Sequence, residues 1–476
     1  MYSFSFPTSG RTRLEHDLLG DKAVPVEALF GVQTLRGIEN FQISSSRLSD
    51  YPCFIQAFGY VKMGAAMANH QLGLLSTPVK EAIVAACQEL IDGKHAAHFP
   101  LDMIQGGAGT SMNMNANEVI ANRALEIMGK QRGEYQFCHP NDHVNMAQST
   151  NDAYPSAVHL AFYMTHQKVM KSLTALIASF EKRAAEFAPV IKMGRTQLQD
   201  AVPMTLGQSF GAYASALKNE IKNLETAAQK FLTINMGATA IGTGITAEPG
   251  YAESCIQHTR AITGWDIVLA NDLVEATHDT SCLYGYSSAL KALAIKTSKI
   301  CNDLRLLSSG PRTGLEEINL PPKQPGSSIM PGKVNPVIPE VMNQICFRVI
   351  GNDLAITFGG EAAQLELNVM EPVMVHSLFE SCHWLSNGFD TLRIECVDGI
   401  TANANHCKHL AANSIGIVTA LKPFIGYANC TEVAKEALET GGSVYQLVLD
   451  KKLLTKEQLD KILDPQYMIR PVKITI

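Results

Sequence analysis

Hydrophobic residues recur every three or four positions along segments that contain neither glycine nor proline. The clearest of these segments covers 156–188, and two more cover 212–236 and 286–309. This spacing is the period of an amphipathic α-helix, and each segment is longer than the roughly 11–12 residues of an average helix. Because long helices bury their hydrophobic stripes against one another, the pattern predicts an extended helical bundle in the middle of the chain.

The two ends of the chain are more broken by glycine and proline. The segment 79–93 predicts a short helix, and 430–441 predicts another with Thr431 as its N-cap. Few segments alternate with a period of two, so strands should be rare and short. The overall prediction is a mainly α protein in three parts: a mainly helical N-terminal domain 1–150, a central long-helix bundle 151–405 and a small helical domain 406–476.

Composition excludes several classes of protein. Hydrophobic residues make up 46% of the chain and charged residues 18%, which favours a buried core over disorder. The net charge of −6 without a basic block argues against nucleic acid as a partner. The sequence has no apolar run of transmembrane length and no signal-peptide pattern. Its 11 scattered cysteines suggest reduced thiols. We therefore expect a cytoplasmic protein that binds neither nucleic acid nor membranes.

Five segments rich in glycine, serine, threonine and asparagine interrupt the helices, and several adjoin a predicted helix start. They are 106–115, 148–152, 194–200, 237–244 and 326–336. The first turn of a helix offers unpaired N–H groups and a positive dipole end, which suit an anion. Any one segment could merely cap its helix. Five in one chain predict a converging carboxylate-binding site.

Other known motifs fit the chain less well. Residues 242–247 match a dinucleotide fingerprint, but no predicted strand–helix–strand unit surrounds them. Residues 326–333 resemble a phosphate-binding loop, but Val334 stands where a magnesium-binding hydroxyl belongs. The histidines lack a carboxylate-rich companion motif, so no metal is expected. His139 and His143 flank the second polar segment, and we expect them to support its structure.

The segment GSSIMPGKVN (326–335) resembles the signature loop of the aspartase/fumarase superfamily. The likeness continues, in the same order and spacing, through GAGTSMNMNANEV (107–119), HPNDHVNMAQSTND (139–152) and GRTQLQDAVPMTLGQ (194–208). It implies a mainly α, three-domain fold whose long central helices join those of other copies in the core of a homotetramer. It also implies active sites that are each shared by three subunits, and no cofactor.

Within this superfamily, the opening 14–41 is most similar to the aspartases, which convert L-aspartate to fumarate and ammonia reversibly. Class II fumarases carry a histidine after the Arg-Thr pair and couple it to a glutamate. This chain keeps the glutamate as Glu340 but has Gln197 in place of the histidine. A neutral Gln cannot take up a proton. This disfavours a class II fumarase, which is the alternative to an aspartase. A non-catalytic structural relative is a third possibility, against which the retained site residues argue.

The resemblance assigns the abstraction of the Cβ proton of aspartate to Ser327, acting as an alkoxide. A serine hydroxyl is a weak base unless charge and backbone donors stabilise its anion, and Lys333 and the loop amides are available for this. Closure of the loop would then create the base when substrate is bound. The resemblance also implies a set of substrate-binding residues: Thr110, Ser149, Thr150 and Ser328 toward the carboxylate that takes up charge, Lys333 and Asn335 toward the α-carboxylate, and Asn151, Thr196 and Gln197 toward the ammonium group.

Overall fold

The computed structural model describes residues 6–470 of the chain, and helices dominate it, as the sequence predicted. The long helices alternate with short ones and with polar loops. The helices are α1 Val32–Asn40, α2 Pro52–Gln71, α3 Thr77–Ile91, α4 Thr110–Ile127, α5 Thr150–Glu186, α6 Leu206–Gln229, α7 Tyr251–Thr263, α8 Glu275–His278, α9 Ser281–Leu307, α10 Val337–Glu361, α11 Glu371–Glu395, α12 Ala404–Asn413, α13 Val418–Thr440, α14 Val444–Asp450, α15 Lys456–Ile462 and α16 Pro465–Met468.

The strands of the described residues are short and pair only in twos, which confirms the prediction that strands are rare and short. Three pairs are antiparallel, and the pair of Thr233–Ile234 with Val268–Leu269 is parallel. The strands are β1 Thr12–Asp17 with β2 Gly20–Pro25, β3 Ile191–Thr196 with β4 Gln199–Thr205, β5 Thr233–Ile234 with β6 Val268–Leu269, and β7 Ile318–Asn319 with β8 Thr401–Ala402.

Two of the three long helical predictions are confirmed almost throughout. The segment 156–188 lies in α5, which is 37 residues long, and 286–309 lies in α9, which is 27 residues long. The prediction for 212–236 is wrong at its end, because α6 stops at Gln229. Residues Lys230–Leu232 form a 3-10 helix, and the β-branched pair Thr233–Ile234 then forms β5 and bonds to β6. Tertiary pairing therefore overrides the helical period over these last residues.

The predicted N-cap at Thr431 is wrong. The helix that contains this residue, α13, begins earlier, and its only non-helical residue is Gly426, with a φ of 78°. The Thr431 hydroxyl donates to the carbonyl of Tyr427, at 2.9 Å, as a threonine inside a helix does. The residue type favours an N-cap, but Thr431 lies inside α13, where helical residues precede it and no helix N-terminus is present.

The chain forms two compact units. Unit 1 consists of the residues up to Met170 with 221–294 and 347–385, and unit 2 consists of 171–220, 295–346 and the residues from Ser386 onward. In unit 1, α2 packs against α3 and α7. In unit 2, the last helices enclose an apolar cluster that includes Leu421, Val433, Val448 and Leu459. The division into three domains at the boundaries given above stays a prediction.

The cysteines agree with the expectation from composition. All the cysteines of the chain are buried and free, as predicted for reduced thiols. Within residues 6–470, no helix combines the length and the apolar character that a bilayer span requires.

Candidate active site

The first polar segment is a left-handed turn that ends in the first residue of α4. Gly107, Ala108 and Gly109 all have positive φ angles. A Cβ atom at Gly109 would lie 2.5 Å from the ring of Tyr154, so glycine alone fits there. The turn presents Thr110 at the exposed N-terminus of α4, where its hydroxyl donates to the Gly107 carbonyl at 2.8 Å.

The second polar segment caps α5 by a reciprocal pair of hydrogen bonds. The Ser149 hydroxyl accepts the N–H of Asn151 at 3.2 Å, and Asp152 accepts the N–H of Ser149 at 2.9 Å. The other oxygen of this buried carboxylate accepts the N–H groups of Gly237, at 3.2 Å, and Thr239, at 3.0 Å. Burial raises the pKa of Asp152 to about 6, against the lowering effect of these backbone donors. Asp152 thus joins the second and fourth polar segments.

Asn151 has its amide donor engaged and its backbone carbonyl satisfied. Its Nδ2 donates to the carbonyl of Ala240 at 2.7 Å. Pro155 has no N–H with which to bond the Asn151 carbonyl, so Asn235 donates to it instead, at 3.0 Å. Among residues 6–470, no hydrogen bond reaches the side-chain oxygen of Asn151.

A hydrogen bond between side chains joins the starts of α4 and α5. Nδ2 of Asn113, one turn into α4, donates to the hydroxyl of Thr150 and to Oδ1 of Asn145, both at 3.2 Å. Because the Thr150 oxygen accepts this bond, its own O–H stays available as a donor. Unit 1 therefore brings Thr110 and 149–151 together as two neighbouring helix starts.

Lys62 lies fully buried behind these helix starts. Its ammonium group donates to Oδ1 of Asn145 at 3.0 Å and to Oε1 of Gln148 at 2.8 Å. Burial lowers the pKa of this amine to about 7. Sequence reasoning missed Lys62, although the single charged residue of the largely apolar run 53–66 is a signal that could have found it.

The histidines at 139 and 143 hold the chain that leads into the second segment. Nδ1 of His139 accepts the N–H groups of Asn141, at 3.1 Å, and Asp142, at 3.2 Å. Nδ1 of His143 accepts the N–H of His139 at 2.8 Å. The two rings therefore satisfy backbone donors around the π-helical turn Pro140–Val144, and the predicted supporting role is confirmed.

The third polar segment differs from the expectation that it interrupts a helix. It forms the turn of the β3–β4 hairpin, in which Gln197 and Leu198 have φ angles of 52° and 63°. Two central residues with positive φ are the geometry of a two-residue hairpin turn. Thr196 and Gln197 are exposed at its tip.

A buried carboxylate anchors this hairpin within unit 2. Glu317 is fully buried and pairs with Lys192, at 2.7 Å, and with Arg195. Farther along the hairpin, Asp200 accepts the hydroxyl of Ser414 at 2.7 Å. These contacts hold the hairpin as far as the Arg195–Asp200 pair, which lies beside the exposed tip.

The signature loop closes on itself. The N–H of Gly326 donates to the carbonyl of Lys333 at 2.7 Å, and Nδ2 of Asn335 donates to the carbonyl of Gly326 at 3.0 Å. A Cβ atom at Gly326 would approach the Lys333 carbonyl to 2.8 Å, so this closure requires glycine. Asn335 thus uses one of its two amide hydrogens to shape the loop.

Within this loop the hydroxyl oxygen of Ser327 is an acceptor for two backbone donors. The N–H groups of Ile329 and Met330 point to it at 3.1 and 3.0 Å. Donors aimed at an oxygen favour its anionic form. Ser328 and Lys333 are exposed, and no carboxylate of residues 6–470 pairs with the Lys333 amine. The loop therefore combines a half-buried hydroxyl, backbone donors and an uncompensated positive charge.

The predicted site residues divide between the two units. Unit 1 holds Thr110, Ser149, Thr150 and Asn151, and unit 2 holds Thr196, Gln197, Ser327, Ser328, Lys333 and Asn335. Each unit supplies neutral hydrogen-bonding groups, and unit 2 adds the cation of Lys333. Neutral donors and a cation are groups that bind carboxylates.

Comparison with known proteins agrees with this chemistry. The sequence model of a family described as "Lyase" matches residues 20–351, and one described as "Fumarase C C-terminus" matches 417–470. The chain is 55% identical to the aspartate ammonia-lyase of Helicobacter pylori, over 96% of this chain and 98% of that protein. It is 53% identical to the aspartate ammonia-lyase of Escherichia coli, over 97% of each.

Solved structures give the same result. A Brucella melitensis protein described as "fumarate lyase:delta crystallin", solved bound to cobalt, aligns with a TM-score of 0.94 and 51% identity, over 97% of this chain and 100% of that one. A class II fumarase from Schistosoma mansoni aligns with a TM-score of 0.91 and 34% identity, over 96% of this chain and 99% of that one. The chain therefore belongs to the lyase family of the aspartase/fumarase superfamily.

Proposed function

We propose that this chain is an aspartate ammonia-lyase, which eliminates ammonia reversibly from L-aspartate to give fumarate. The observation that carries the mechanism is the Ser327 hydroxyl, whose oxygen accepts two backbone N–H groups in the signature loop. The substrate follows from relatives that are 53–55% identical over nearly the whole chain and carry this name. The free, buried cysteines suit a reducing compartment, so a cytoplasmic location is part of the proposal.

The reaction begins with removal of a Cβ proton. The Ser327 alkoxide takes this proton, and the electron pair of the C–H bond moves into the adjacent carboxylate to form an aci-carboxylate. The electrons then return to form the carbon–carbon double bond as the C–N bond breaks and ammonia leaves. The proton on Ser327 must afterwards pass to solvent to restore the base.

The neutral donors of unit 1 suit the intermediate of this reaction. The Thr150 hydroxyl keeps its hydrogen available because its oxygen accepts from Asn113. Thr110 and Ser149 lie at helix N-termini, where backbone dipoles favour negative charge. Such preorganised donors act most strongly where charge develops, in the transition state. For the ammonium group, the proposed acceptors include the free side-chain oxygen of Asn151.

Substrate choice tests the function directly. Because Gln197 cannot act as an acid or base, aspartate should yield fumarate and ammonia, whereas malate should yield no fumarate at a comparable rate. Ultraviolet absorbance of fumarate, followed for both substrates with one enzyme preparation, measures this. Equal turnover of malate would reject the ammonia-lyase in favour of a fumarase.

A homotetramer is part of the proposal, and the surface of α10 supports it. Phe347, Leu354 and Phe358 lie along one stripe of this helix and are 61%, 58% and 64% exposed. Large apolar side chains in such a row mark a surface that another protein covers. Packing α10 against further copies of the chain would bury them and would let one site combine residues of three subunits.

Subunit mixing tests the shared sites. Thr196→Ala and Ser327→Ala proteins should each be weakly active, and exchange of their subunits should restore about one quarter of wild-type activity if the two residues come from different chains. Activity before and after exchange measures this, with each variant exchanged against itself as the control. Exchange that is demonstrated but brings no recovery would contradict shared sites.

A further inference from the structure

A cavity of about 430 Å³ lies in unit 1, beside α5. Its wall includes His159 of α5, Asn235, the segment 279–283 and Glu371, the first residue of α11. None of Thr110 and 149–151 lines it. The cavity therefore needs an explanation of its own.

Glu371 is a buried acid without a partner. It is 5% exposed, and within residues 6–470 no hydrogen bond or ion pair reaches its carboxyl group. The other buried acids of unit 1 all have partners. Glu118 and Asp152 accept several backbone N–H groups. The remaining three form ion pairs: Glu15 with Arg13 at 2.8 Å, Asp102 with Arg47 at 2.7 Å, and Asp353 with Lys291 at 2.6 Å. A carboxylate that is buried alone is costly. When Glu371 is ionised, none of the described side chains of the unit neutralises it.

The carboxyl group of Glu371 lies on the cavity side of its helix. Its negative charge raises the pKa of the Cys282 thiol, a residue of the same wall, in addition to the effect of burial. It has the same effect on the phenol of Tyr154. Burial in turn raises the pKa of Glu371 itself to about 8. Cys282 and Tyr154 thus remain neutral neighbours when Glu371 ionises.

The other side chains of the wall do not neutralise Glu371. Nδ1 of His159 donates to the carbonyl of Thr233 at 2.7 Å, which leaves Nε2 to accept from Cys282 at 3.0 Å. Both ring nitrogens are therefore committed in the neutral tautomer, and burial lowers the pKa of this imidazole. Lys230 lines the cavity but forms no ion pair with Glu371.

The remaining charges of the wall are negative. They belong to Asp272, Glu275 and Asp279, so carboxylates outnumber the single lysine. Asp272 and Asp279 already accept local hydrogen bonds, from the N–H groups of 274 and 275 and from the Ser281 hydroxyl. The cavity thus has an acidic wall around a buried, unpaired carboxylate.

We propose that this cavity binds a small cation that carries N–H donors, an ammonium ion or an alkylammonium group, with Glu371 as its counter-charge. An ammonium ion donates hydrogen bonds in four directions, and the wall offers the Glu371 carboxylate with the hydroxyls of Thr280 and Ser281. A divalent metal is disfavoured, because no group of three His, Cys, Asp or Glu side chains in the described residues is placed to hold one. The inference rests on this cavity and does not depend on the lyase activity.

Thermal unfolding of the full-length enzyme without aspartate tests the proposal. At about pH 8.5, where Glu371 is largely ionised, ammonium chloride should raise the unfolding midpoint in a saturable way, by about 2 °C or more relative to tetramethylammonium chloride of equal ionic strength. Glu371→Gln should abolish this difference. Glu275→Gln, at an exposed position of the same wall, is the matched control and should retain it.

Three further arms keep the test decisive. If Glu371→Gln does not fold, the wild-type enzyme at about pH 6 replaces it, because protonated Glu371 should leave no ammonium-specific shift. Methylammonium distinguishes the two possible ligands. If it raises the unfolding midpoint as much as ammonium does, the ligand is the amino group of a larger molecule. If it raises the midpoint less, the ligand is the free ammonium ion. Potassium lacks N–H donors and should shift the midpoint less than half as far. The proposal would be overturned if potassium or tetramethylammonium raised the unfolding midpoint as much as ammonium does. It would also be overturned if the effect of ammonium persisted in Glu371→Gln or at acidic pH.

Discussion

Replacing Ser327 with alanine is expected to lower kcat by at least about 100-fold, which is the low end of what general-base catalysis contributes. The KM for aspartate should change little, because the proposed carboxylate anchors remain in place. The substitution also removes the oxygen that accepts the N–H groups of Ile329 and Met330. The closure of the loop through Gly326, Lys333 and Asn335 does not involve this oxygen, so the loop should keep its shape. Steady-state kinetics of aspartate deamination measure both constants.

Ser328→Ala is the matched control for this experiment. Its hydroxyl is the same chemical group one residue later, but it is exposed and is assigned to carboxylate binding. This variant should raise KM more than Ser327→Ala does and should lower kcat less. If the two variants exchanged these effects, the base would be Ser328.

Replacing Lys333 with methionine is expected to damage binding and chemistry together. The substitution keeps most of the side-chain length but removes a positive charge that no carboxylate of residues 6–470 neutralises. Aspartate should bind more weakly because its α-carboxylate loses a cation. Ser327 should ionise less readily because the charge that favours its alkoxide is gone. KM should therefore rise and kcat should fall, each by about tenfold or more.

Lys323→Met is the control for the charge itself. Lys323 precedes the loop in the same unit and pairs with Glu395 at 2.6 Å on a partly exposed surface. Surface ion pairs contribute little, so this variant should resemble wild type. If Lys333→Met left KM unchanged, another residue would have to bind the α-carboxylate of aspartate.

The helical fold could be predicted because its longest elements follow a local rule. The hydrophobic period, unbroken by glycine or proline, located α5 and α9 within a few residues of their ends. The same rule failed after Gln229, where β5 pairs with a strand more than thirty residues away. Local pattern carries no information about such a partner. The prediction of an N-cap at Thr431 failed for a related reason, since the residue type does not reveal whether a helical turn precedes it.

The site could be predicted only in part from its residue types. Small polar residues before helical stretches indicated the helix starts that present Thr110 and Thr150. The hairpin that carries Gln197 was not anticipated, because positive φ angles at two non-glycine residues leave no mark in the sequence. Asp152 was missed as a supporting residue, since its importance comes from complete burial, which only the folded chain reveals. Lys62 was missed although it is the one charged residue of the largely apolar run 53–66.

The central claim is that Ser327 removes the Cβ proton, and single-turnover kinetics test it most directly. Enzyme in excess over aspartate, with binding confirmed separately by equilibrium dialysis, isolates the chemical step from substrate capture and product release. The account predicts that Ser327→Ala binds aspartate near the wild-type affinity and forms fumarate at least about 100-fold more slowly, while Ser328→Ala retains most of the rate at saturation. A Ser327→Ala enzyme that forms fumarate within a few-fold of the wild-type rate would contradict it.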